Sequence, residues 1–523
     1  MALNQIPDND PDHPRWLLDL DEWLILPYQE IVLNQGGPPE YGIISYTWGR
    51  YYTGNQAPDK VPSGIMWNVP SVSAFSLEDA RNVMGSMRKR YVWWDWMCVP
   101  QGSAPDLSPE LLQAKGQEIG KQMKIYRGAK ASIVWVHRTD WNAESPLRTL
   151  LKDGIPPPGG DFIGFFTAIS DILGEIRTTE PWLGSIWTLQ EGVLLSKTAL
   201  LDRNGTTLED DRFMHNGGKA SVIDLTAGLT GLVIRVAAAF MRLSNPEDAK
   251  DENAPDAVLI EFLKQADNYV YVAGVLATIM RSGLVAYAQD SPLYVLSGKT
   301  SRFSSQPEDY CWALLGALDL ELANTWYHKG SDMDRVKAVF FQELLQRWQW
   351  PLFLVAKVSN PVEYDVLSWP ERIVDGKMLP LGIYFDVFWK KNLPALSWID
   401  NGKDKTQPDM IILDNTKSDQ ACTFWKLAQP GLGRVYEQTS IVEETNAMVQ
   451  IRPVGELLPT ENRLYLPIAD LGPQFERSGA RCIEIESLDE NTGRFLGVVD
   501  LWIAEEDVVQ VTFADFRLLG SMV

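Results

Sequence analysis

The sequence predicts an α/β fold: a flavodoxin-like parallel sheet with helices on both faces, followed by a helical region and a β-rich C-terminal unit. Three observations predict this order. Up to about residue 202, short β-rich runs alternate with longer helical patterns, and from about 206 to 358 helical spacing dominates. After about residue 360, short alternating runs such as "RCIEIES" return. Since 523 residues exceed what one hydrophobic core usually serves, we expect three domains, at 1–205, 206–358 and 359–523.

Four segments predict the first two strands and the first two helices of the α/β fold. "YGIISYTWG" predicts a strand and its exit loop. "SVSAFSLEDARNVMGSMRKR" predicts a helix that begins near a serine cap and ends in basic residues that suit its C-terminal dipole. "YVWWDWMCV" predicts the second strand, and "SPELLQAKGQEIGKQMKIYRGA" predicts a second helix with Pro109 in its first turn.

The later segments complete the predicted fold. "ASIVWVH" predicts a third strand, an apolar helix follows near 162–175, and "PWLGSIWTLQEGVLLSKTALL" predicts a helix that leads into a fourth strand. Beyond it, "PEDYCWALLGAL" and "DRVKAVFFQELLQRW" carry apolar residues at helical spacing. "AMVQIRPV", "FLGVVDLWI" and "VVQVTF", separated by turns such as "DENTG", predict the strands of the C-terminal unit.

Charge and composition limit the expected partners. The net charge of -22 and the pI near 4.7 argue against a nucleic-acid partner, because a phosphate-binding surface needs clustered Lys and Arg. Four widely spaced cysteines and four scattered histidines predict a reducing compartment and no metal site. The acidic N-terminus lacks the pattern of a secretory signal, and the longest apolar stretches are too short or too interrupted to cross a bilayer. We therefore expect a cytoplasmic protein without a membrane span.

Three segments of the first domain end at one edge of the predicted sheet. In an open parallel sheet the ligand crevice lies beyond the carboxyl ends of the strands. The candidate residues there are Tyr46, Trp48, Gly49 and Arg50 after the first strand, Asp95 and Gln101 after the second, and Trp187, Gln190 and Glu191 on the last helix. The three helical residues recur at i, i+3 and i+4, so one face presents an indole, an amide and a carboxylate together. The sequence therefore predicts a small-molecule ligand in this crevice.

Glu191 is the candidate catalytic acid of the crevice, and Asp95 is the second candidate catalytic residue. A carboxyl beside tryptophan in an apolar cleft has its charged form destabilised, which raises its pKa toward a value useful for acid or base catalysis. In the alternative interpretation, Glu191 and Asp95 only accept hydrogen bonds from loop amides, and the tryptophans only pack the core. No GxSxG or P-loop motif occurs, and Cys98 is interpreted as an inert core thiol.

Four blocks, taken in order, resemble the fungal heterokaryon-incompatibility (HET) domain. That family's pattern reads Tyr-x-x-Leu-Ser-Tyr-x-Trp-Gly, then Trp-Ile-Asp-x-x-Cys-Ile-Asn-Gln, then Ile-Tyr-x-x-Ala, then Arg-x-Trp-Thr-x-Gln-Glu. "YGIISYTWG", "WWDWMCVPQ", "IYRGA" and "SIWTLQE" fall onto it. The matching residues are Tyr41, Ser45, Tyr46, Trp48, Gly49, Trp93, Asp95, Cys98, Gln101, Tyr126, Ala129, Trp187, Thr188, Gln190 and Glu191.

The chain departs from the HET pattern at two informative positions. Pro100 stands where the family usually has Asn, and Ser185 stands where it usually has Arg. The second departure removes a positive charge two residues before Trp187. If that charge holds a phosphate or orients the glutamate, the resemblance implies that activity here is redirected.

The HET domain is itself similar to Toll/interleukin-receptor (TIR) domains, so the resemblance implies a TIR-like version of the sheet. Some TIR domains cleave the nicotinamide–ribose bond of NAD with a glutamate on a Trp-containing helix, and "SIWTLQE" resembles that helix. The resemblance thus implies Glu191 as catalytic acid, with Asp95 positioning the first loop. It also implies that Trp48 or Trp187 stacks on a flat ring and that Arg50 meets the pyrophosphate.

Three hypotheses for function follow. In the first, the chain acts in allorecognition and programmed cell death as a TIR-like enzyme, with NAD as a substrate and no resident cofactor. In the second, it is a non-catalytic signalling module that acts through self-association or a protein partner. In the third, a HET-like fold serves as a small-molecule biosynthetic enzyme.

Overall fold

The computed structural model describes most of the chain up to residue 355 and the strands of the C-terminal third. The described residues are 6–47, 51–54, 60–102, 106–152, 160–244, 256–288, 293–323, 325–326, 333–355, 393, 395–399, 410–414, 422–427, 434–443, 446–456, 462–470, 478–503, 506, 508–513 and 516–519.

The chain divides into two compact units. The first comprises Met1–Pro156, Asp171–Gly228 and Gly283–Val336, and the second comprises Pro157–Ser170, Leu229–Ser282 and Lys337–Val523. The first unit contains the candidate site, and the second contains the C-terminal strands. The division into domains at 1–205, 206–358 and 359–523 stays a prediction.

Strands and helices alternate over the first 201 residues. The strands are β1 (Trp16–Asp19), β2 (Leu24–Pro27), β3 (Tyr41–Ser45), β4 (Tyr52–Gly54), β5 (Ser71–Val72), β6 (Tyr91–Trp93), β7 (Ala131–Trp135) and β8 (Leu200–Leu201). The helices are α1 (Tyr28–Gln35), α2 (Leu77–Gly85), α3 (Asp95–Cys98), α4 (Pro109–Gly120), α5 (Gln122–Gly128), α6 (Pro146–Lys152), α7 (Phe162–Thr179) and α8 (Ile186–Leu194).

Within the described residues, six of these strands form one sheet in the order β2-β1-β6-β3-β7-β8. Strands β6, β3, β7 and β8 run parallel to one another, with Ile43 opposite both Trp93 and Ser132. Because parallel strands end at the same edge, the residues that follow β3, β6 and β7 are neighbours there. This edge carries the candidate site.

The sheet also contains an antiparallel hairpin that the sequence analysis did not predict. Strand β1 pairs antiparallel with β2 on one side and with β6 on the other. Each of these strands has only four residues, and all of β1 is buried. A short, fully buried strand lacks the alternation of apolar and polar residues that marks a half-exposed strand. It is therefore hard to predict from the sequence.

The second strand ends earlier than the sequence predicts. "YVWWDWMCV" forms β6 only as far as Trp93, and α3 begins at Asp95. The Asp95 Oδ1 atom accepts a hydrogen bond from the Trp96 backbone N–H at 2.7 Å, and the Cys98 N–H donates to the Trp94 carbonyl at 2.7 Å. A side chain that bonds its own backbone competes with the strand ladder, which explains the early turn.

Capping residues set the starts of the predicted helices. Ser76 and Asp79 form a capping box at the start of α2, and the Ser108 side chain accepts a hydrogen bond from Leu111 N–H at the start of α4. The long helix predicted over 108–129 is two helices, α4 and α5, which meet at Lys121. Lys121 has φ -104° and ψ 9°, outside the helical region.

Helices and then strands follow along the rest of the chain. The helices are α9 (Ala227–Ser244), α10 (Ala257–Leu263), α11 (Ala266–Ser282), α12 (Leu293–Gly298), α13 (Asp309–Trp312), α14 (Met333–Trp348) and α15 (Leu352–Val355). The strands are β9 (Ala395–Ile399), β10 (Met410–Asp414), β11 (Cys422–Leu427), β12 (Arg434–Glu443), β13 (Asn446–Glu456), β14 (Arg463–Asp470), β15 (Ser478–Ser487), β16 (Thr492–Ile503), β17 (Val508–Phe513) and β18 (Arg517–Leu519). None of the described helices is long and apolar enough to cross a bilayer.

The C-terminal strands form a sheet of ten within the part of the chain that the structure describes. Its core includes Tyr465, Cys482 and Leu501, which are almost fully buried. The buried Arg463 guanidinium pairs with the Glu484 carboxylate in the same layer. The predicted fold class is therefore confirmed: a sheet with parallel strands flanked by helices, then a helical region, then a β-rich C-terminal unit.

Candidate functional site

Glu191 lies at the carboxyl edge of the parallel strands, on α8. Its side chain is only 6% exposed, and its Oε2 atom accepts a hydrogen bond of 2.5 Å from the Ser45 hydroxyl. Ser45 is the last residue of β3. The Trp182 indole N–H in turn donates to the Ser45 Oγ at 2.8 Å, so the hydroxyl hydrogen is directed at Glu191. A chain of two hydrogen bonds thus fixes the carboxyl group.

The surroundings of Glu191 favour its neutral form. Burial, followed by the nearby charge of Asp95, raises the pKa of Glu191 to about 8, although hydrogen bonds from Ser45 and Tyr126 act in the opposite direction. Burial and the charges of Glu191 and Asp95 raise the pKa of the Tyr126 phenol well above its usual value. Glu191 therefore carries a proton at neutral pH and can act as an acid, and a nearby cation would convert it to a carboxylate.

Asp95 is half-buried at the start of α3 and reaches the same edge. Its carboxylate accepts from the Trp96 N–H and raises the pKa values of Glu191 and Tyr46 through its charge. Asp95 thus has both a local backbone role and an electrostatic effect on Glu191. The catalytic role expected for Asp95 stays a prediction.

Gln101 and Gln190 make hydrogen bonds that hold the backbone around the site. Gln101 Nε2 donates to the carbonyls of Asp95 and Val99, at 3.0 and 2.8 Å, and so closes the turn after α3. Gln190 is 1% exposed, donates to Gln122 Oε1 at 2.8 Å and accepts from the Gly316 N–H. Ligand binding by Gln101 and Gln190 stays a prediction.

The other candidate residues fall into two groups. Tyr46 is buried directly after β3, and burial together with the charge of Asp95 raises the pKa of its phenol. Trp187 is half-buried one turn before Glu191. Trp48, Gly49 and Arg50 lie outside the described residues.

A buried arginine occupies the region where the HET resemblance expects one. Arg302 is 3% exposed, and its guanidinium donates to the Ser185 carbonyl at 3.1 Å and to the Tyr287 hydroxyl at 2.7 Å. Ser185 is the N-cap of α8 and the position at which the family usually has Arg. A positive charge therefore lies beside this turn even though residue 185 is serine. Burial raises the pKa of Tyr287, and the charge of Glu191 acts in the same direction, which places Tyr287 near the acid.

Five residues of the site were not predicted as site residues from the sequence: Ser45, Tyr126, Trp182, Tyr287 and Arg302. Ser45 and Tyr126 match the HET pattern, which is the signal that would have found them. Trp182, Tyr287 and Arg302 carry no such signal. Trp182 reaches Ser45 across 137 residues of sequence, and Arg302 reaches Ser185 across 117.

Gly192 keeps α8 close to Tyr287, and alanine there is expected to destabilise the protein. A Cβ atom at Gly192 would overlap the Tyr287 ring, and the hydrogen bond from Arg302 restrains that ring. We expect Gly192→Ala to lower the free energy of unfolding by about 2 kcal/mol in urea titrations. The control is Gly174→Ala, at an exposed position of α7. A Cβ atom there meets nothing within 4 Å, so stability should rise by roughly 0.5–1 kcal/mol. Equal effects of both substitutions would contradict the close approach.

The described residues contain no group of three or more His, Cys, Asp or Glu side chains that could hold a metal ion. Cys98 lies buried, and burial raises the pKa of its thiol far above the usual value. The groups that act directly on the Glu191 carboxyl are those of Ser45, Asp95 and Tyr126.

Comparison with known families matches the segment that forms this site. Residues 41–191 match the family described as Heterokaryon incompatibility protein (HET). The match begins at β3 and ends at Glu191, so it includes Ser45, Asp95 and Tyr126 and confirms the HET resemblance over this segment. Comparison with curated proteins and with solved structures gives no match.

Proposed function

We propose that this chain acts in heterokaryon incompatibility, in fungal allorecognition and programmed cell death, by cleaving the nicotinamide–ribose bond of NAD in the cytoplasm. One observation carries the proposal: Glu191 is a buried acid with a pKa of about 8, fixed by Ser45 and Tyr126 at the carboxyl edge of a parallel sheet. The HET match over residues 41–191 supports the biological role. The TIR-like mechanism is part of the proposal.

The reaction needs an anionic group beside a developing cation. The bond between the ribose C1′ and the pyridinium nitrogen breaks, and its electron pair leaves with nicotinamide. The ribosyl centre becomes oxocarbenium-like, and water adds to it with release of one proton, which gives ADP-ribose. A carboxylate beside C1′ stabilises this cationic centre.

The raised pKa of Glu191 gives the site a preference for a cationic substrate. In the free protein Glu191 is neutral at pH 7, because burial opposes its charge. The pyridinium ring of NAD is positively charged, so its approach lowers the pKa of Glu191 and releases the proton. At pH 7 the carboxylate therefore forms mainly when the cation is present. In this arrangement Trp48 or Trp187 stacks on a ring, Arg50 meets the pyrophosphate, and Asp95 sets the charge around Glu191.

The pH dependence of NAD cleavage tests this arrangement. Because Glu191 must lose its proton, we expect kcat/KM for NAD to rise with pH and to level off above about 8. Ser45→Ala removes a hydrogen bond that lowers the pKa of Glu191, so the midpoint should move to higher pH. Asp95→Asn removes the charge that raises this pKa, so the midpoint should move to lower pH.

Nicotinamide release measured by chromatography at several pH values gives these midpoints. Shifts of the same sign in Ser45→Ala and Asp95→Asn would contradict the role of Glu191. Binding of NAD without release of nicotinamide would instead support the non-catalytic signalling hypothesis. In a fungal host, growth arrest on expression of the chain should be absent with Glu191→Gln.

A further inference from the structure

Phe75 is the centre of an aromatic cluster at the same edge of the sheet. Its ring centroid lies 5.6 Å from that of Tyr46, 5.9 Å from Trp96, 4.7 Å from Trp135 and 5.3 Å from His137. We call these five residues the Phe75 cluster. The four partners of Phe75 are 5% exposed or less, whereas Phe75 is half-buried.

The position of the cluster is that of a ligand crevice. Tyr46 follows β3, Trp96 follows β6, and Trp135 and His137 stand at the end of β7. These three parallel strands end at one edge, where ligands of open α/β sheets bind. Phe75 does not follow one of these strands; it lies in the segment between β5 and the Ser76 cap of α2. Its ring thus fills the space beyond the strand ends.

Several buried polar atoms at this edge have no hydrogen-bond partner among the residues that the structure describes. They include the His137 Nδ1, the Trp135 Nε1 and the Thr47 Oγ1. The exposed fractions of the three residues are 5%, 1% and 5%. Buried polar groups are almost always paired, and leaving one unpaired is costly. Unpaired atoms of this kind at the ends of two neighbouring strands, β3 and β7, favour a binding site over a core.

The chemistry of these atoms defines the ligand. The His137 Nε2 lies 2.7 Å from the Thr47 carbonyl oxygen, which only accepts, so Nε2 carries the hydrogen. Burial lowers the pKa of His137 to about 4, so the ring is neutral at pH 7 and its Nδ1 is an acceptor. The Trp135 Nε1 is a donor, and the Thr47 hydroxyl can act either way. A matching ligand offers one N–H donor and one acceptor in the plane of an aromatic ring.

We infer that the Phe75 cluster binds a planar nitrogen heterocycle with an amide or amino group, and that Phe75 is a gate whose ring the ligand ring replaces. Tyr46 connects the Phe75 cluster to Glu191. Burial and then the charges of Asp95 and Glu191 raise the pKa of the Tyr46 phenol, which places this phenol near both carboxyl groups. The nicotinamide ring of NAD fits this chemistry. The placing of the ring beside Glu191 rests on the proposed function, whereas ring binding itself does not.

Calorimetric titration of the full chain with nicotinamide and, separately, with adenine tests the inference. Cyclohexanecarboxamide, which has the amide but no planar ring, is the control ligand. If nicotinamide or adenine binds but the wild-type protein releases no nicotinamide from NAD, the inference holds and the proposed function is rejected.

Two variants separate a gated site from ordinary core packing. Phe75→Ala removes the competing ring, so we expect binding about tenfold tighter, even as the melting temperature falls. Phe75→Leu should act in the same direction if the alanine variant does not fold. Thr47→Val keeps the side-chain shape and deletes an unpaired hydroxyl, so the melting temperature should rise while affinity falls about tenfold.

The inference is overturned if neither nicotinamide nor adenine binds the wild-type or Phe75→Ala proteins. It is also overturned if cyclohexanecarboxamide binds as well as the planar rings. A lower melting temperature with unchanged affinity in Thr47→Val would mean that the hydroxyl belongs to the core.

Discussion

Glu191→Gln is expected to stabilise the protein at alkaline pH while it abolishes the release of nicotinamide from NAD. Glutamine keeps the size of the side chain, and its carbonyl oxygen can accept the hydrogen bond from Ser45. It removes the group whose ionisation the buried site opposes. Stability and activity therefore change in opposite directions, which a purely structural residue would not show.

The stability effect follows from the two pKa values of Glu191. The pKa is about 8 in the folded protein and 4.5 as the ordinary value, so between these pH values the folded state binds the proton more strongly. Stability consequently falls as pH rises through this window, by on the order of 3–5 kcal/mol in total. Glutamine does not ionise, so the free energy of unfolding of the variant does not fall in this way as pH rises. Urea titrations at pH 5 and pH 9 should show a stabilising effect that is several times larger at pH 9.

Glu118 provides the matched control for this prediction. Glu118 is also fully buried, but its carboxylate lies 2.6 Å from the Lys121 ammonium and accepts from the Arg15 backbone N–H. Glu118→Gln leaves buried Lys121 without its counter-charge, so it should destabilise the protein by roughly 3 kcal/mol. If Glu191→Gln destabilised the protein at pH 9 as Glu118→Gln does, Glu191 would be a charged structural residue.

The loss of activity in Glu191→Gln should be on the order of 10³-fold in kcat or more, because the carboxylate is the charge that stabilises the ribosyl cation. Affinity for NAD should change much less than kcat. Steady-state kinetics at pH 8 would separate the two effects.

Arg302→Met is expected to destabilise the protein by on the order of 3–5 kcal/mol. The Arg302 guanidinium donates to the carbonyls of Trp182 and Ser185, to the Thr188 hydroxyl and to the Tyr287 hydroxyl. Methionine fills similar volume but donates nothing, so buried acceptors on the turn that starts α8 lose their partner. The same turn positions Trp182. The Trp182 indole N–H donates to Ser45, and the Ser45 hydroxyl donates to Glu191.

The control for Arg302→Met is an arginine that pairs on the surface. Arg127 is 60% exposed and contacts Asp319 at 3.1 Å, so Arg127→Met should change stability by no more than about 0.5 kcal/mol. Urea titrations of both variants give the comparison. A loss below about 1 kcal/mol for Arg302→Met would mean that Arg302 is not needed to hold the turn.

The order of elements was predictable because hydrophobic period and capping residues are local signals. A serine cap was predicted near the start of α2 and Pro109 in the first turn of α4, and both are confirmed. The turn at Asp95 was not predictable, because it depends on a side chain that bonds the next backbone N–H instead of extending the strand. The hairpin of β1 and β2 was missed because its strands have only four residues each.

The site was predictable only where strand ends and a known pattern pointed to it. The rule for parallel sheets placed Glu191 and Asp95 at one edge, and the structure brings their carboxyl groups near enough for the charge of Asp95 to add to burial in raising the pKa of Glu191. Ser45 and Glu191 are 146 residues apart in sequence, and no local period encodes that pairing. Arg302 lies far beyond the matched segment, so its contact with the α8 turn is visible only in three dimensions.

The most direct test is the release of nicotinamide from NAD by the purified full chain, compared with Glu191→Gln at pH 8 and micromolar protein. The proposal predicts steady release by the wild-type protein and none above background by the variant. No release by the wild-type protein, or equal release by both proteins, would contradict the assignment of Glu191 as the catalytic carboxylate.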